Sequence, residues 1–470
     1  MPNSLSHQVV EIAESYQQRV ATQPVFPRIS PDELRKSLRA PLTEQGSDPA
    51  KVIAELAAAA EPGLVGTTGP RYFGFVIGGS LPVATAADWL TSAWDQNAGL
   101  YSASPAASVV EEVASEWLLD LLGLPSTASV GFVTGCGMAN FTALAAARHH
   151  VLQGAGWDVE QDGLNGAPPI NLVLGDEAHV TVLSALRMLG LGTRSVKRVA
   201  TDAQGRMVAS QLREALQSCA GPTIVCAQAG NVNTGAFDPL AEIADILREK
   251  TAHEKSVWLH LDGAFGLWAA ASPELRHLVK GAEKADSWAT DGHKWLNIPY
   301  DSGLVICAHP AAHRAAMTIS AAYLVQSGKE RDPFEWTPEF SRRARGFPIY
   351  AALKHLGRSG VRELIERCCA RARQMAGLLR QHDGVEILND VVLNQVLVRF
   401  HNSDEETRAI IARVQQDGTC WLGGTTWHNL AAMRISVSNW STTEQDIALS
   451  ANAILRAALP QRTQSARTTP

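Results

Sequence analysis

A chain of 470 residues, 46% apolar and 19% charged, can bury a large core and should hold two or three structural units. Its net charge of -6 sets up no basic field for nucleic acid. The seven cysteines include no CxxC pair, and Cys368 and Cys369 lie side by side in a helix-like run of Arg, Glu and Ala. They read as reduced thiols, with neither a disulfide framework nor a zinc site, so no metal is expected.

The N-terminus lacks a basic region followed by an apolar core, and no run of about eighteen apolar residues occurs; a soluble cytoplasmic protein is expected. Residues 1–60 carry helical patterns separated by Pro24, Pro27, Pro31 and Pro41, with Ser30-Pro31-Asp32-Glu33 as a helix start. Such a segment cannot bury its own apolar face and reads as a packing arm or a solvated leader. Arg71 to Ser80 is an aromatic, glycine-rich strand-loop before a helix from Ala84 to Trp94. Glycines let backbone approach a ligand and aromatics give flat apolar walls; Phe75, Val76 and Ile77 suit such a wall or plain core. Tyr101 to Ala106 precedes an amphipathic helix, Ser108 to Leu122, with Glu111, Glu112 and Glu116 on its polar face. Gly131 to Arg148 then reads as strand, glycine turn and alanine-rich helix. Free N–H groups and the positive helix end meet at that turn, an anion site that suits a phosphate, although Gly-x-Gly before a helix is also a common turn.

After a surface loop at residues 150–170, Asn171 to Arg187 predicts strand, polar turn and helix, with His179 at the turn. Strands at Val196–Ala200 and Thr223–Ala229 alternate with helices at Ala209–Cys219 and Pro239–Lys250, with a loop from Asn231 to Ala236, leading into the strand Ser256–Asp262. That alternation predicts an α/β fold with a mostly parallel, doubly covered sheet. Asp262 stands at a strand's carboxyl end, where ligands bind in open α/β sheets. Downstream, Thr290-Asp-Gly-His-Lys294-Trp295 sets one lysine between an imidazole and an indole. Partial desolvation would keep its amine neutral and able to form a Schiff base.

A strand-terminal aspartate followed by Thr290-x-x-His293-Lys294 is the fingerprint of pyridoxal-phosphate enzymes of the aspartate-aminotransferase fold. The chain resembles the group II pyridoxal-phosphate-dependent amino acid decarboxylases over roughly residues 60 to 455. The resemblance implies fold type I: an N-terminal helical segment (1–60), a large domain with a seven-stranded sheet covered by helices (61–340), a small α+β domain (341–459) and a disordered tail (460–470). It implies pyridoxal 5'-phosphate on Lys294 as a Schiff base, Asp262 on the ring nitrogen and His179 stacked on the ring. Cys136, Gly137, Asn140 and His293 would hold the phosphate, with Asn233, Thr234 and Ala264 also beside the cofactor. Phe75, Val76, Ile77 and Tyr101 would line the substrate pocket, and a homodimer with active sites near the subunit interface is implied.

The family's mobile loop carries a tyrosine thought to return a proton after CO2 departs. Here Pro333 or Phe334 falls at that position, and Tyr323, the loop's one tyrosine, matches an earlier family position. His179 or Tyr323 is then the candidate proton donor. Arginines 342, 343 and 345 resemble the family's junction between domains, read as carboxylate partners or surface charge. Strands at 384–388, 394–400 and 432–438 flank a helix from Glu405 to Asp417, and Arg434 is similar to the carboxylate-clamping arginine of related aminotransferases, or else structural. Tryptophans 94, 288, 336, 421 and 427 lean towards an apolar or aromatic substrate. The resemblance implies decarboxylation of an L-amino acid through a quinonoid. Oxidative decarboxylation-deamination comes second, and transamination or retro-aldol cleavage third. A binding-only regulator on the same fold would need an attached DNA-binding domain, for which the first 60 residues are too few and too acidic.

Overall fold

The computed structural model describes residues 5–251, 256–319 and 330–459. Three helices open the chain: α1 (Leu5–Arg19), α2 (Pro31–Leu38) and α3 (Pro49–Ala60). Ser30 caps α2 through a reciprocal capping box with Glu33, and Asp48 caps α3. None of the three contains a buried residue, and Leu5, Val9, Leu38, Val52 and Leu56 are exposed.

Helices α4 (Pro82–Trp94) and α5 (Pro105–Leu122) lead into the large sheet. Its strands are β1 (Ser129–Val133), β2 (Asn171–Gly175), β3 (Lys197–Val199), β4 (Thr223–Gln228), β5 (Val257–Asp262), β6 (Ser287–Asp291) and β7 (Gly303–Cys307). They run in the order β1-β7-β6-β5-β4-β2-β3, all parallel except β7, which is antiparallel to both neighbours. Every residue of β1, β4, β5, β6 and β7 is buried, as a sheet covered on both faces requires. Between the strands run α6 (Cys136–Gly154), α7 (Val159–Asp162), α8 (Val180–Met188), α9 (Ala209–Gln217) and α10 (Leu240–Thr251), with α11 (Pro310–Met317) after β7. The chain leaves β1, crosses the sheet as α6 over β5, β6 and β7, and enters β2 on the far side. The first turn of α6 therefore sits at the topological switch point, above the carboxyl ends of β5 and β6. A Cβ on Gly303 would come within 2.4 Å of the Gly135 Cα, so the turn before α6 lies directly on β7.

Beyond α12 (Gly346–Arg380) a second sheet, ordered β10-β11-β9-β8, is antiparallel throughout. Its strands are β8 (Val385–Ile387), β9 (Gln395–Phe400), β10 (Gly423–Trp427) and β11 (Leu430–Ser436). It packs with α13 (Asp404–Asp417), which in turn meets α14 (Glu444–Ala458).

Several local expectations are revised. Residues 150–170 are not all loop, because α6 continues to Gly154 and Asp158 caps the short α7, burying Val159. Arg71 to Ser80 forms no strand: Tyr72 makes a lone bridge to Trp421, and Phe75 and Val76 have φ of 53° and 60°. α12 breaks at Gly357, whose φ is 57°. The strand β10, with two glycines and two threonines, gives too little apolar alternation to be read from sequence. Glu111 does not face solvent. It is fully buried, 2.6 Å from Arg342 and 3.5 Å from Arg331, and Arg342 also donates to the Phe132 carbonyl. The carboxylate-partner reading of the arginine cluster describes Arg342, and Arg343 and Arg345 likewise pair with Asp88 and Asp301.

Candidate active site

Asp262, at the end of β5, is 4% exposed. Its Oδ1 accepts from the Ala264 N–H at 3.2 Å and from the Cys136 thiol at 3.4 Å, and its Oδ2 from Asn140 Nδ2 at 3.2 Å. Behind it runs a chain of donors. Trp258 Nε1 donates to Ser287 Oγ at 2.8 Å, Ser287 pairs with His260 Nδ1 at 2.9 Å, and His260 Nε2 pairs with Asn140 Oδ1 at 2.9 Å. The Asn140 carbonyl can only accept, which assigns the His260 proton to Nε2 and makes Ser287 the donor to Nδ1. Burial pushes His260 down to about 4 despite nearby Asp262, so the imidazole is neutral. Every bond in the series points its hydrogen towards the Asp262 carboxylate.

The second Asn140 N–H reaches Thr181 Oγ1 at 3.2 Å. His179, the N-cap of α8, accepts at Nδ1 from the Thr181 N–H and lies 2.8 Å from Thr181 Oγ1. Burial lowers its pKa, and Lys294 and Arg434 add to this against the opposing pull of Asp262. Asn140 thus joins Asp262 to His179, and both of its amide hydrogens are committed to protein partners, not to a phosphate.

Lys294 Nζ lies 3.1 Å from Asp291 Oδ2. Burial alone would lower its pKa, but Asp291, Cys136 and Asp262 outweigh burial and leave it raised. The expected neutral amine is therefore replaced by a paired ammonium. Asp291 closes β6 at 2% exposure; its Oδ1 accepts from the Cys136 N–H at 2.6 Å and lies 3.3 Å from His293 Nε2. The sequence reading passed over Asp291, although an acidic residue ending a buried strand two places before His293 was a usable signal. Cys136 is buried and its thiol is pushed far up, chiefly by burial and then by Asp262. A Cβ on Gly137 would meet only Thr181 Cγ2, at 3.8 Å, so space is open at that point of the turn.

His293 accepts at Nδ1 from the Ser302 N–H at 3.2 Å, and burial lowers its pKa. Tyr300, also absent from the sequence reading, stacks on it with centroids 4.2 Å apart. The remaining candidates divide. Phe75 is exposed and lies 5.5 Å from the Trp421 ring, which also stacks on Tyr72 at 5.1 Å. Val76 is fully buried core, and Ile77 is half-buried. Asn233 and Thr234 are buried, bonded to Thr425 Oγ1 and the Gln204 carbonyl. Tyr101 donates its N–H to Asp332 Oδ1 at 2.8 Å. Phe334 is buried against Phe340 with centroids 5.1 Å apart. Arg434, on β11, forms no ion pair among the described residues; burial lowers its pKa, and its charge reaches His179. Tyr323 lies outside the described residues. Of the five tryptophans, only Trp421 joins this aromatic group: Trp288 is core, Trp336 packs under Arg314 and Arg331, Trp427 stacks on His428 and Trp94 meets Phe347.

A buried carboxylate for a ring nitrogen, an imidazole linked to the same asparagine through Thr181, a lysine and an open helix N-terminus fit pyridoxal phosphate by donor chemistry. A family model described as the pyridoxal-dependent decarboxylase conserved domain matches residues 31–401. The chain belongs to the pyridoxal-dependent decarboxylase family. It is a pyridoxal-phosphate-dependent carboxy-lyase of fold type I. An aromatic-L-amino-acid decarboxylase from Bacillus atrophaeus is 28% identical over 94% of this chain and 92% of its own. A 4-hydroxyphenylacetaldehyde synthase from Rhodiola rosea is 27% identical, covering 93% and 91%. The crystal structure of Oryza sativa TDC with PLP and tryptamine shares the fold, with a TM-score of 0.89 at 24% identity over 97% of this chain and 99% of that one.

Proposed function

We propose that this decarboxylase removes the α-carboxylate of an L-amino acid with an apolar or aromatic side chain as CO2, leaving the amine. The observation that carries the proposal is the convergence of Lys294, Asp262 and His179 at one end of the sheet, with Asn140 bonding both Asp262 and the Thr181 partner of His179. Bound pyridoxal phosphate supplies the electron sink for cleavage at the α carbon. Asp262, with its donors committed, keeps a positive charge at the ring nitrogen. His179 offers a neutral imidazole face, and the N-terminus of α6 at Gly137 takes the phosphate. Arg434, half-buried and without an ion pair among the described residues, meets the substrate carboxylate. Phe75 and Trp421 form the wall for the side chain, in keeping with the aromatic substrate named for the Bacillus atrophaeus relative.

We also infer a cytoplasmic homodimer. The free cysteines and the lack of a membrane-crossing helix among the described residues are compatible with the cytoplasm, and the apolar residues exposed on α1 to α3 suit a second subunit.

A second reading, oxidative decarboxylation-deamination to an aldehyde, draws on two observations. Pro333 or Phe334, both buried, falls at the position expected for the loop tyrosine, and the Rhodiola rosea relative is named as an aldehyde synthase. Product analysis of the loaded protein with a panel of L-amino acids decides between them. CO2 and amine in equal amounts support decarboxylation. Aldehyde, ammonia and hydrogen peroxide support the second reading, and no CO2 from any substrate sinks both.

A further inference from the structure

The geometry points to Tyr300 as the group that returns a proton to the substrate α carbon once CO2 has left. This rests on the decarboxylase reading above. Its ring lies on His293, the chain neighbour of Lys294, with centroids 4.2 Å apart and planes 26° apart. Its phenol is within electrostatic range of both Asp291 and Lys294, the pair that marks the reacting amine. Tyr300 is exposed, whereas Tyr72, which feels the charge of Tyr300, is 4% exposed and stacked on Trp421. The Tyr300 phenol makes no hydrogen bond among the described residues, so its proton is uncommitted.

The other described tyrosines are placed elsewhere. Tyr350 stacks on Trp117, Tyr16 lies with Glu61 and Thr68, and the backbone N–H of Tyr101 is tied to Asp332. Partial desolvation of the phenol, with Asp291 adding to it and Lys294 opposing, raises Tyr300 above the ordinary tyrosine range, so it is protonated at neutral pH.

The step balances simply. The electron pair left on the α carbon takes the O–H proton and forms the C–H bond of the amine. The phenolate that remains is stabilised by the Lys294 ammonium and recovers a proton from water, so one solvent proton is consumed per CO2 released.

Tyr300→Phe keeps the ring on His293 and removes only the hydroxyl. Amine formation should fall about 100-fold in kcat, the scale of a lost general acid, with KM within about twofold. CO2 release should then outrun amine, the deficit appearing as aldehyde, ammonia and hydrogen peroxide, with dioxygen as the oxidant. Affinity for pyridoxine 5'-phosphate, which has no aldehyde, should match the wild type, separating a chemical role from a structural one. The ultraviolet difference titration of wild type against the variant should report a phenol ionising above the ordinary tyrosine range and shifting on pyridoxal phosphate loading, as Lys294 changes charge. Stoichiometric amine at the wild-type rate from Tyr300→Phe overturns the assignment, as does the CO2-to-amine split appearing in Tyr323→Phe alone. A wild type that releases no CO2 removes the decarboxylase reading and this one together, whereas CO2 release with an unaffected Tyr300→Phe removes only this one.

Discussion

His260 Nε2 donates to Asn140 Oδ1 at 2.9 Å, and through Asn140 this bond reaches both Asp262 and the Thr181–His179 pair. His260 cannot touch the cofactor from behind Asn140, so it is a positioning residue. Replacing it with Leu leaves the Asn140 carbonyl without its donor and the Ser287 hydroxyl hydrogen without its acceptor in a buried site, at about 1–3 kcal/mol each. We expect His260→Leu to lower the urea midpoint and weaken pyridoxine 5'-phosphate binding about tenfold, with His260→Gln recovering most of the binding. Equal loss in both variants would contradict the relay.

Acid sensitivity should trace to buried imidazoles. Burial holds His260 down to about 4 and His313 to about 3, while unfolded imidazoles take up protons below about 6.5. The unfolded state therefore binds more protons between those limits, and stability falls as pH drops from about 6.5 towards 4. Asp238, raised by burial to about 6, works the other way between about 4 and 6 and softens the slope. His313, which pairs with Ser129 Oγ and the Trp336 carbonyl, offers the clean test. His313→Gln should lose up to one proton of slope in urea midpoints measured from pH 4 to 7, and an unchanged slope would refute its buried neutral state.

Glu111 neutralises Arg342 and lies near Arg331 in a site without solvent. Glu111→Ala leaves buried guanidinium charge uncompensated and should cost about 3–5 kcal/mol. Thermal unfolding of Glu111→Ala, Arg342→Met and the double variant measures the coupling; additive losses would mean that the pair is not one unit.

Asp291 sets the charge of Lys294. With Asp291→Asn, burial acts on the amine with less opposition, and Lys294 in the cofactor-free protein should react with trinitrobenzenesulfonate at a lower pH than in the wild type. A profile matching the wild type would place the control in Asp262 instead.

Arg434→Met should raise the amino acid KM about ten- to a hundredfold, the scale of hydrogen bonds to a charged group, while inhibition by the amine product, which has no carboxylate, stays unchanged. A parallel loss for the amine would mark Arg434 as structural.

Much of the architecture was legible in the sequence because buried parallel strands are continuous apolar runs, and the run Val257–Asp262 ends on its carboxylate in the fold as in the pattern. What stayed hidden depends on partners distant in sequence. Glu111 looks like one acid of a polar helix face, and only Arg342, 231 residues away, makes it a core residue. Asn140 carries no local sign that its amide would serve Asp262 and Thr181, 122 and 41 residues on. Tyr300 escaped notice because a Pro-Tyr-Asp turn reads as an ordinary loop, and its stack on His293 is a tertiary fact.

The register of three neighbouring strands has a further consequence. Asp262 stands opposite Ala289 across β5 and β6, and Asp291 stands opposite Gly303 across β6 and β7. No shorter piece of the chain sets the spacing between the carboxylate and the lysine. Recovery of catalytic competence during refolding should therefore lag behind helix formation and coincide with closure of this central strand trio, making the enzyme its own reporter of late folding.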